Sequence, residues 1–259
     1  MIAIGVPAEG PDEPRIGLTP ETVKKFVKAG AEVAIRSGAG LRSHFSDEDY
    51  KEAGAKIAKT DEEAVAGADL VFTVRRPDAA LVKSMKPAAA VIGMLDPYGD
   101  AEGLAALAKT GVSLFAMELM PRITRAQSMD VLSSQSNLAG YKAVIDAAAA
   151  FERALPMMMT AAGTIPAAKV FVMGVGVAGL QAIATARRLG AIVTATDVRP
   201  AVKEQVASLG AKFIAVEDEE FKQAETAGGY AKEMSKEYQA KQAELVASHI
   251  AKQDIVVTT

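Results

Sequence analysis

KVFVMGVGVAGLQAIATARRLGAIVTATDVRP, residues 169–200, holds the pattern from which the fold can be read. Lys169–Met173 is an apolar run of strand length that stops at Gly174. Glycines stand at 174, 176 and 179, and Ala178–Leu189 then carries a helical pattern closed by Gly190. Ile192–Thr196 reads as a second strand with Asp197 at its end. A G-x-G-x-x-G between strand and helix, with an acid at the end of the following strand, is the full context of the dinucleotide fingerprint. Gly174 supplies the tight turn, Gly176 lets backbone approach a pyrophosphate, and Gly179 permits close packing of helix on strand. The helix N-terminus offers N–H groups and a positive dipole end to the phosphates. Asp197 is placed to accept hydrogen bonds from the adenosine ribose and to repel a 2′-phosphate, so NAD(H) is expected rather than NADP(H). Arg199 points the same way along the strand and weakens that preference. With Val175, Val177 and Val198 between them, these residues form the candidate cofactor-binding set.

The βα rhythm extends in both directions. Upstream, Ile2–Val6, Glu32–Arg36, Leu70–Val74, Ala89–Met94 and Val112–Ala116 read as strands. Thr19 and Pro20 open a helix as N-cap and first residue, and Gly30 stops it. Asp47–Ala53, Asp61–Ala66, Lys83–Met85 and Glu102–Lys109 read as further helices. Asp130–Leu155, alanine-rich and free of proline, reads as one long helix, and Pro156 to Pro166 as a break. Downstream, Ala201–Leu209 and Lys241–Lys252 read as helices, Lys212–Ala215 and Asp254–Thr259 as strands. Interleaved strands and helices predict an α/β protein of two Rossmann-like, doubly wound parallel-sheet domains, residues 1–133 and 134–259. Four strands of a six-stranded fold are counted in the second, which is therefore expected to be truncated. The polar stretch Val216 to Glu237 is either a functional loop or a solvated insertion.

Composition narrows the function. The 259 residues are half hydrophobic with a net charge of -3, which gives no reason to expect nucleic acid or an anionic membrane surface. There is no cysteine, so disulfides and thiolate chemistry are excluded. Two histidines, His44 and His249, speak against a multi-histidine metal site, and no metal is expected. The apolar stretch Val170–Ala186 carries three glycines and Gln181 and suits a buried strand and turn, so no direct membrane insertion is expected. No secretory signal is read at the start.

RITRAQSMDVLSSQSNLAGYKAV (122–144), PMMMTAAGTIPAAKV (156–170) and TATDVRPAVKEQV (194–206), with the fingerprint itself, closely resemble the NAD(H)-binding domain of proton-translocating NAD(P) transhydrogenases. Arg15-Ile-Gly-Leu-Thr-Pro20 also resembles alanine dehydrogenases, which share the fold. The transhydrogenase resemblance implies that Arg122, Gln127, Asp130 and Ser133 hold the nicotinamide end, with Arg122 and Asp130 partnering each other, the carboxamide and the ribose. It makes Gln127 the residue nearest an incoming second nicotinamide, and sets Arg122, Gln127 and Asp130 as the catalytic set. Gly229 and Tyr230 match a mobile loop that closes over nucleotide.

The activity so implied is Si-Re-specific hydride transfer from NADH to NADP+, the latter held on a separate NADP(H)-binding component. A membrane component couples that step to proton flow. A homodimer is implied, cytoplasmic and peripheral to the inner membrane through its partner subunits. The alternatives are an amino-acid oxidoreductase like alanine dehydrogenase and a truncated, non-catalytic NAD-binding module. Aligned by DLVFTVRRP and VIGMLDP, the lysine and histidine that alanine dehydrogenases use appear here as Arg75 and Asp96. Arginine does not shuttle protons near neutrality, and an ordinary aspartate is a poor general acid there. Hydride transfer between two nicotinamides protonates no substrate heteroatom, so a site built for positioning suffices.

Overall fold

The computed structural model describes residues 1–121, 123–222, 224 and 234–259. They divide into two compact units, Met1–Val131 and Leu132–Thr259.

The first unit runs β1 (Ala3–Val6), α1 (Pro20–Lys28), β2 (Glu32–Arg36), α2 (Asp47–Glu52), β3 (Lys56–Ala58), α3 (Asp61–Val65), β4 (Leu70–Arg75), α4 (Ala79–Ser84), β5 (Ala90–Met94), α5 (Ala101–Ala108) and β6 (Ser113–Ala116). Among the described residues its strands form one parallel sheet in the order β3-β2-β1-β4-β5-β6. This is the doubly wound order, with the switch point between β1 and β4. Its helices start on side-chain caps. Thr19 accepts from the Thr22 N–H, Ser46 forms a reciprocal box with Asp49, and Asp78 accepts from the Leu81 N–H. Each cap satisfies a donor that the first turn leaves open. One core gathers Ile4, Val6, Val23, Val33, Ile35 and Tyr50, whose hydroxyl donates to the Leu18 carbonyl at 2.9 Å. A second gathers Val65, Val71, Val82, Val91, Leu95 and Leu107.

The second unit is led in by α6 (Val131–Ala150) and continues through β7 (Met158–Thr160), β8 (Gly163–Ile165), β9 (Lys169–Met173), α7 (Val177–Arg188), β10 (Ile192–Thr196), α8 (Val202–Ser208), β11 (Lys212–Phe213), α9 (Glu219–Lys222), α10 (Lys236–Ile250) and β12 (Ile255–Thr258). Among the described residues the parallel sheet has the order β11-β10-β9-β12, the first four positions of the same winding. Met173 lies beside Thr196 on one flank and Thr258 on the other. The three strands therefore end level, and their carboxyl ends form one rim. Val170, Val172, Ala182, Ile183, Ala186, Val193 and Ala195 pack beneath that rim.

Several boundaries differ from expectation. The helix expected at Lys83–Met85 is Ala79–Ser84, because Asp78 after Pro77 caps it one turn earlier. The long helix ends at Ala150 rather than Leu155, with Glu152 at a φ of 57 just beyond it. The break at Pro156 to Pro166 is an antiparallel hairpin, β7 on β8, exposed along both strands. Strand β3 and helix α9 were not legible as elements. Helix α10 starts at Lys236, where Ser235 caps it by accepting from the Tyr238 N–H. No helix among the described residues is long and apolar enough to cross a membrane.

Candidate functional site

The rim of the second unit is built around a turn that only glycine can make. Gly174 has φ +96, and a Cβ there would stand 2.6 Å from the Thr259 carbonyl oxygen. A Cβ on Gly179 would stand 1.9 Å from the Gly174 carbonyl oxygen, so the first turn of α7 packs directly on the turn that precedes it. Gly176 differs. It is the N-cap of α7 at φ -78, an ordinary backbone conformation, and among the described residues a Cβ on it meets nothing within 4 Å. Its missing side chain is not explained by the protein's own packing, whereas those of its two neighbours are.

Helix α7 begins without a side-chain cap and with no acid in its first turn. Its leading N–H groups and the positive end of its dipole are thus left facing the rim. Opposite stands Asp197, with its side chain 6% exposed. Its Oδ2 accepts from the Val175 N–H at 2.7 Å, across the glycine turn. Its Oδ1 accepts from the Arg199 N–H at 2.9 Å, and the Arg199 guanidinium adds Nε to Oδ1 at 2.9 Å and Nη2 to Oδ2 at 3.0 Å. Burial alone pushes this carboxyl up. The Arg199 side chain and the two backbone N–H groups outweigh it and hold Asp197 below its ordinary range. Asp197 is therefore a fixed anion at the end of β10.

The other sequence-predicted residues fall as follows. Val175 is buried, while Val177 and Val198 are exposed. Ser133 lies in the first turn of α6. In the first unit, Gln127 is exposed on a single 3-10 stretch, Thr124–Met129, pinned by buried Ala126, and Asp130 follows it directly. Arg122, Gly229 and Tyr230 lie outside the described residues, and with them the expected pairing of Arg122 with Asp130.

Two contributors escaped sequence reading. Gly140, mid-way along α6, comes so close to α7 that a Cβ would lie 2.0 Å from the Ala178 carbonyl oxygen. Thr259 closes the turn from below, donating its N–H to the Met173 carbonyl at 2.9 Å and its hydroxyl to the Gly174 carbonyl at 3.2 Å. A glycine inside an alanine-rich helix costs about 1 kcal/mol, so Gly140 did carry a signal that some packing need outweighs helix propensity.

The first unit has its own cavity of about 830 Å³ at the carboxyl ends of its strands, with Glu9, Glu13, Arg36, Thr73, Arg75 and Arg76 in the lining. Its charges are largely committed to one another. Glu13, 5% exposed, takes Nε and Nη2 of Arg15 at 2.6 Å and Nε of Arg75 at 2.9 Å. The Arg15 contacts pull it down, against burial and with help from Arg75, to about 2. Glu9 accepts from the N–H groups of Val74 and Arg75, yet burial still leaves it raised. Arg75 is thus engaged by a carboxylate of its own chain. Asp96 sits at φ 50 and accepts from the Gly99 N–H at 3.2 Å. His249 has its Nε2 2.8 Å from the Thr194 hydroxyl and its ring edge-on to Phe171. No cluster of metal-ligating side chains occurs among the described residues.

Comparison with known proteins agrees along the whole chain. Residues 5–139 match the model described as alanine dehydrogenase/PNT, N-terminal domain, and residues 143–259 the corresponding C-terminal domain. The chain is 55% identical to the first portion of the NAD(P) transhydrogenase alpha subunit of Rhodospirillum rubrum, over 99% of its own length and 68% of that protein's. Among solved structures it is similar to a transhydrogenase from Sinorhizobium meliloti, with a TM-score of 0.89 and 58% identity, covering 99% of this chain and 69% of that one. It is also similar to an L-alanine dehydrogenase, with a TM-score of 0.73 and 28% identity, covering 83% and 61%.

Proposed function

The chain belongs to the alanine dehydrogenase/PNT family, and on that premise we propose that it is the NAD(H)-binding component of a proton-translocating transhydrogenase. The observation that carries the NAD(H) assignment is the buried Asp197 carboxylate, hydrogen-bonded across the glycine turn to Val175 beside an uncapped helix start. Phosphates suit the helix N-terminus. A carboxylate at the end of the second strand suits ribose hydroxyls and disfavours a 2′-phosphate. The open space at Gly176 suits the close approach of a pyrophosphate to backbone.

In this reading NADH on this chain passes hydride directly to NADP+ on a separate NADP(H)-binding component. Catalysis is the positioning of two nicotinamide rings with water excluded. Gln127, Asp130 and Ser133, with Arg122, serve the nicotinamide end, a role that rests on their resemblance to the family's segment. Gly229 and Tyr230 serve as its closing loop on the same ground. Proton coupling belongs to a membrane component, which places this chain at the cytoplasmic face of the inner membrane through its partners. The amino-acid oxidoreductase alternative is disfavoured by the commitment of Arg75 to Glu13 and of His249 to Thr194. A homodimer is part of the proposal. The exposed Met157, Met158, Met159 and Ile165 of the β7–β8 hairpin are the apolar surface that a second copy would cover.

The test is NADH-dependent reduction of an NADP analogue with and without an NADP(H)-binding component. Turnover only with the component is the expected result. Turnover of alanine or pyruvate without any partner would replace the proposal with the dehydrogenase reading. NADH binding with no turnover, where a longer homologue works, would leave a binding module only.

A further inference from the structure

An ionised carboxylate has about four acceptor positions, two on each oxygen. On Asp197 all four are filled by its own chain. Oδ1 takes the Arg199 N–H and Nε, and Oδ2 takes the Val175 N–H and the Arg199 Nη2. A ribose that is to donate hydroxyls to Asp197 must therefore displace a donor already there. Two of the four are backbone groups at either end of the turn. Val175 is buried and its N–H is fixed by β9 and α7, and the Arg199 N–H is set by the short segment after β10. The two that can leave are Nε and Nη2 of the Arg199 side chain, which is 30% exposed while the carboxylate itself is 6% exposed. Their departure frees one position on each oxygen, which is the number that two adjacent ribose hydroxyls require.

We propose that Arg199 is an internal stand-in for the adenosine ribose, holding the two acceptor positions of Asp197 that the ribose hydroxyls take and leaving them when nucleotide binds. This deepens the NAD(H) assignment and rests on it. The planar guanidinium fork presents its N–H groups to both carboxylate oxygens at once, as a vicinal diol does, and keeps Asp197 ionised and oriented meanwhile. Two consequences follow. Part of the intrinsic affinity for NADH goes into breaking a half-buried bidentate pair, so the guanidinium weakens the binding it prepares for. Once displaced, the guanidinium stays within two residues of the ribose as a cation, and so softens the rejection of a 2′-phosphate. Arg199 then acts through Asp197 as a specificity-setting residue rather than as a direct ligand of NADH.

The experiment is calorimetric titration of NADH and of NADPH into the chain and into Arg199→Ala, Arg199→Gln, Asp197→Asn and the double variant Asp197→Asn/Arg199→Ala. With the guanidinium gone, NADH is expected to bind tighter by about tenfold, of the order of one bidentate contact, while NADPH binds no better. In the Asp197→Asn background, removal of Arg199 brings no gain for NADH, because there is no longer a carboxylate to vacate. Arg199→Gln, which keeps a polar side chain, guards against a folding defect and should behave as Arg199→Ala does. Unchanged or weaker NADH binding in both single Arg199 variants, with wild-type binding intact, would overturn the stand-in and leave the NAD(H) assignment in place. Absence of NADH binding by the wild-type chain would overturn the assignment and the stand-in with it.

Discussion

The Cα of Gly140 on α6 faces the carbonyl of Ala178 on α7 so closely that a single added carbon would come within 2.0 Å of that oxygen. The long helix thus abuts the first turn of the helix whose N-terminus faces the rim. Gly140→Ala sets two effects against each other. Helix propensity favours alanine by about 1 kcal/mol, whereas overpacking against a backbone oxygen costs about 1–3 kcal/mol. The difference is a net loss of about 0–2 kcal/mol, and because backbone cannot rotate away as a side chain can, a value in the upper half of that range is expected, read from urea unfolding. NADH affinity should fall with it, because α7 is pushed at its first turn. A stabilised Gly140→Ala would show that the two helices separate freely.

Gly176→Ala separates packing from ligand approach. Among the described residues the added carbon meets no atom within 4 Å, and the backbone conformation suits any residue, so the unfolding midpoint should stay within about 0.5 kcal/mol of wild type. NADH binding should weaken by tenfold or more if a pyrophosphate lies against this glycine. Gly179→Ala should instead lose stability and binding together, since its Cβ would strike the Gly174 carbonyl. Full NADH affinity in Gly176→Ala would move the pyrophosphate away from this turn.

Glu13 predicts an acid limb in the stability of the first unit. Its carboxyl is lowered from 4.5 to about 2 by Arg15 and Arg75 against burial. A lowered folded-state pKa contributes stability that is complete above the unfolded value and is lost as pH falls toward the folded one. The window is therefore pH 4.5 down to about 2, and the contribution is on the order of 3 kcal/mol. Urea unfolding of Glu13→Gln should be weaker than wild type at pH 7 and should flatten across that window. Parallel curves for the two proteins would mean that the pairs with Arg15 and Arg75 contribute nothing net.

Some of these features are visible in the residues alone and others are not. The strands Glu32–Arg36, Lys169–Met173 and Ile192–Thr196 were legible to the residue because Gly30 and Gly190 stand two residues before the first and third, and Gly174 and Asp197 directly follow the second and third. Asp197 was legible because its place at the end of a strand is a matter of counting. The β7–β8 hairpin was not. Its residues are exposed on both faces, so no alternation marks it, and Ala161-Ala162 lacks the glycine or asparagine that signals a tight turn. Gly140 and Ala178 meet only because α6 and α7 pack, which no local pattern records. The saturation of Asp197 depends on rotamers of Arg199 and on backbone directions, and neither is written in residue spacing.

Gln127 offers the sharpest test of the proposed chemistry. It stands exposed near the end of a 3-10 stretch, and its carbonyl accepts from the Asp130 N–H at 3.2 Å. Shortening an exposed amide by one methylene should leave stability within about 0.5 kcal/mol, and the backbone contact to Asp130 survives it. If the side chain steers the second nicotinamide, Gln127→Asn should slow single-turnover hydride transfer by tenfold or more. Its NADH dissociation constant should shift by less than about threefold. An interaction made only as the rings approach lowers the rate and spares ground-state binding. Equal losses in rate and affinity would assign Gln127 to holding NADH alone. No change in either would remove it from the site, and the positioning role would then pass to Asp130 and Ser133.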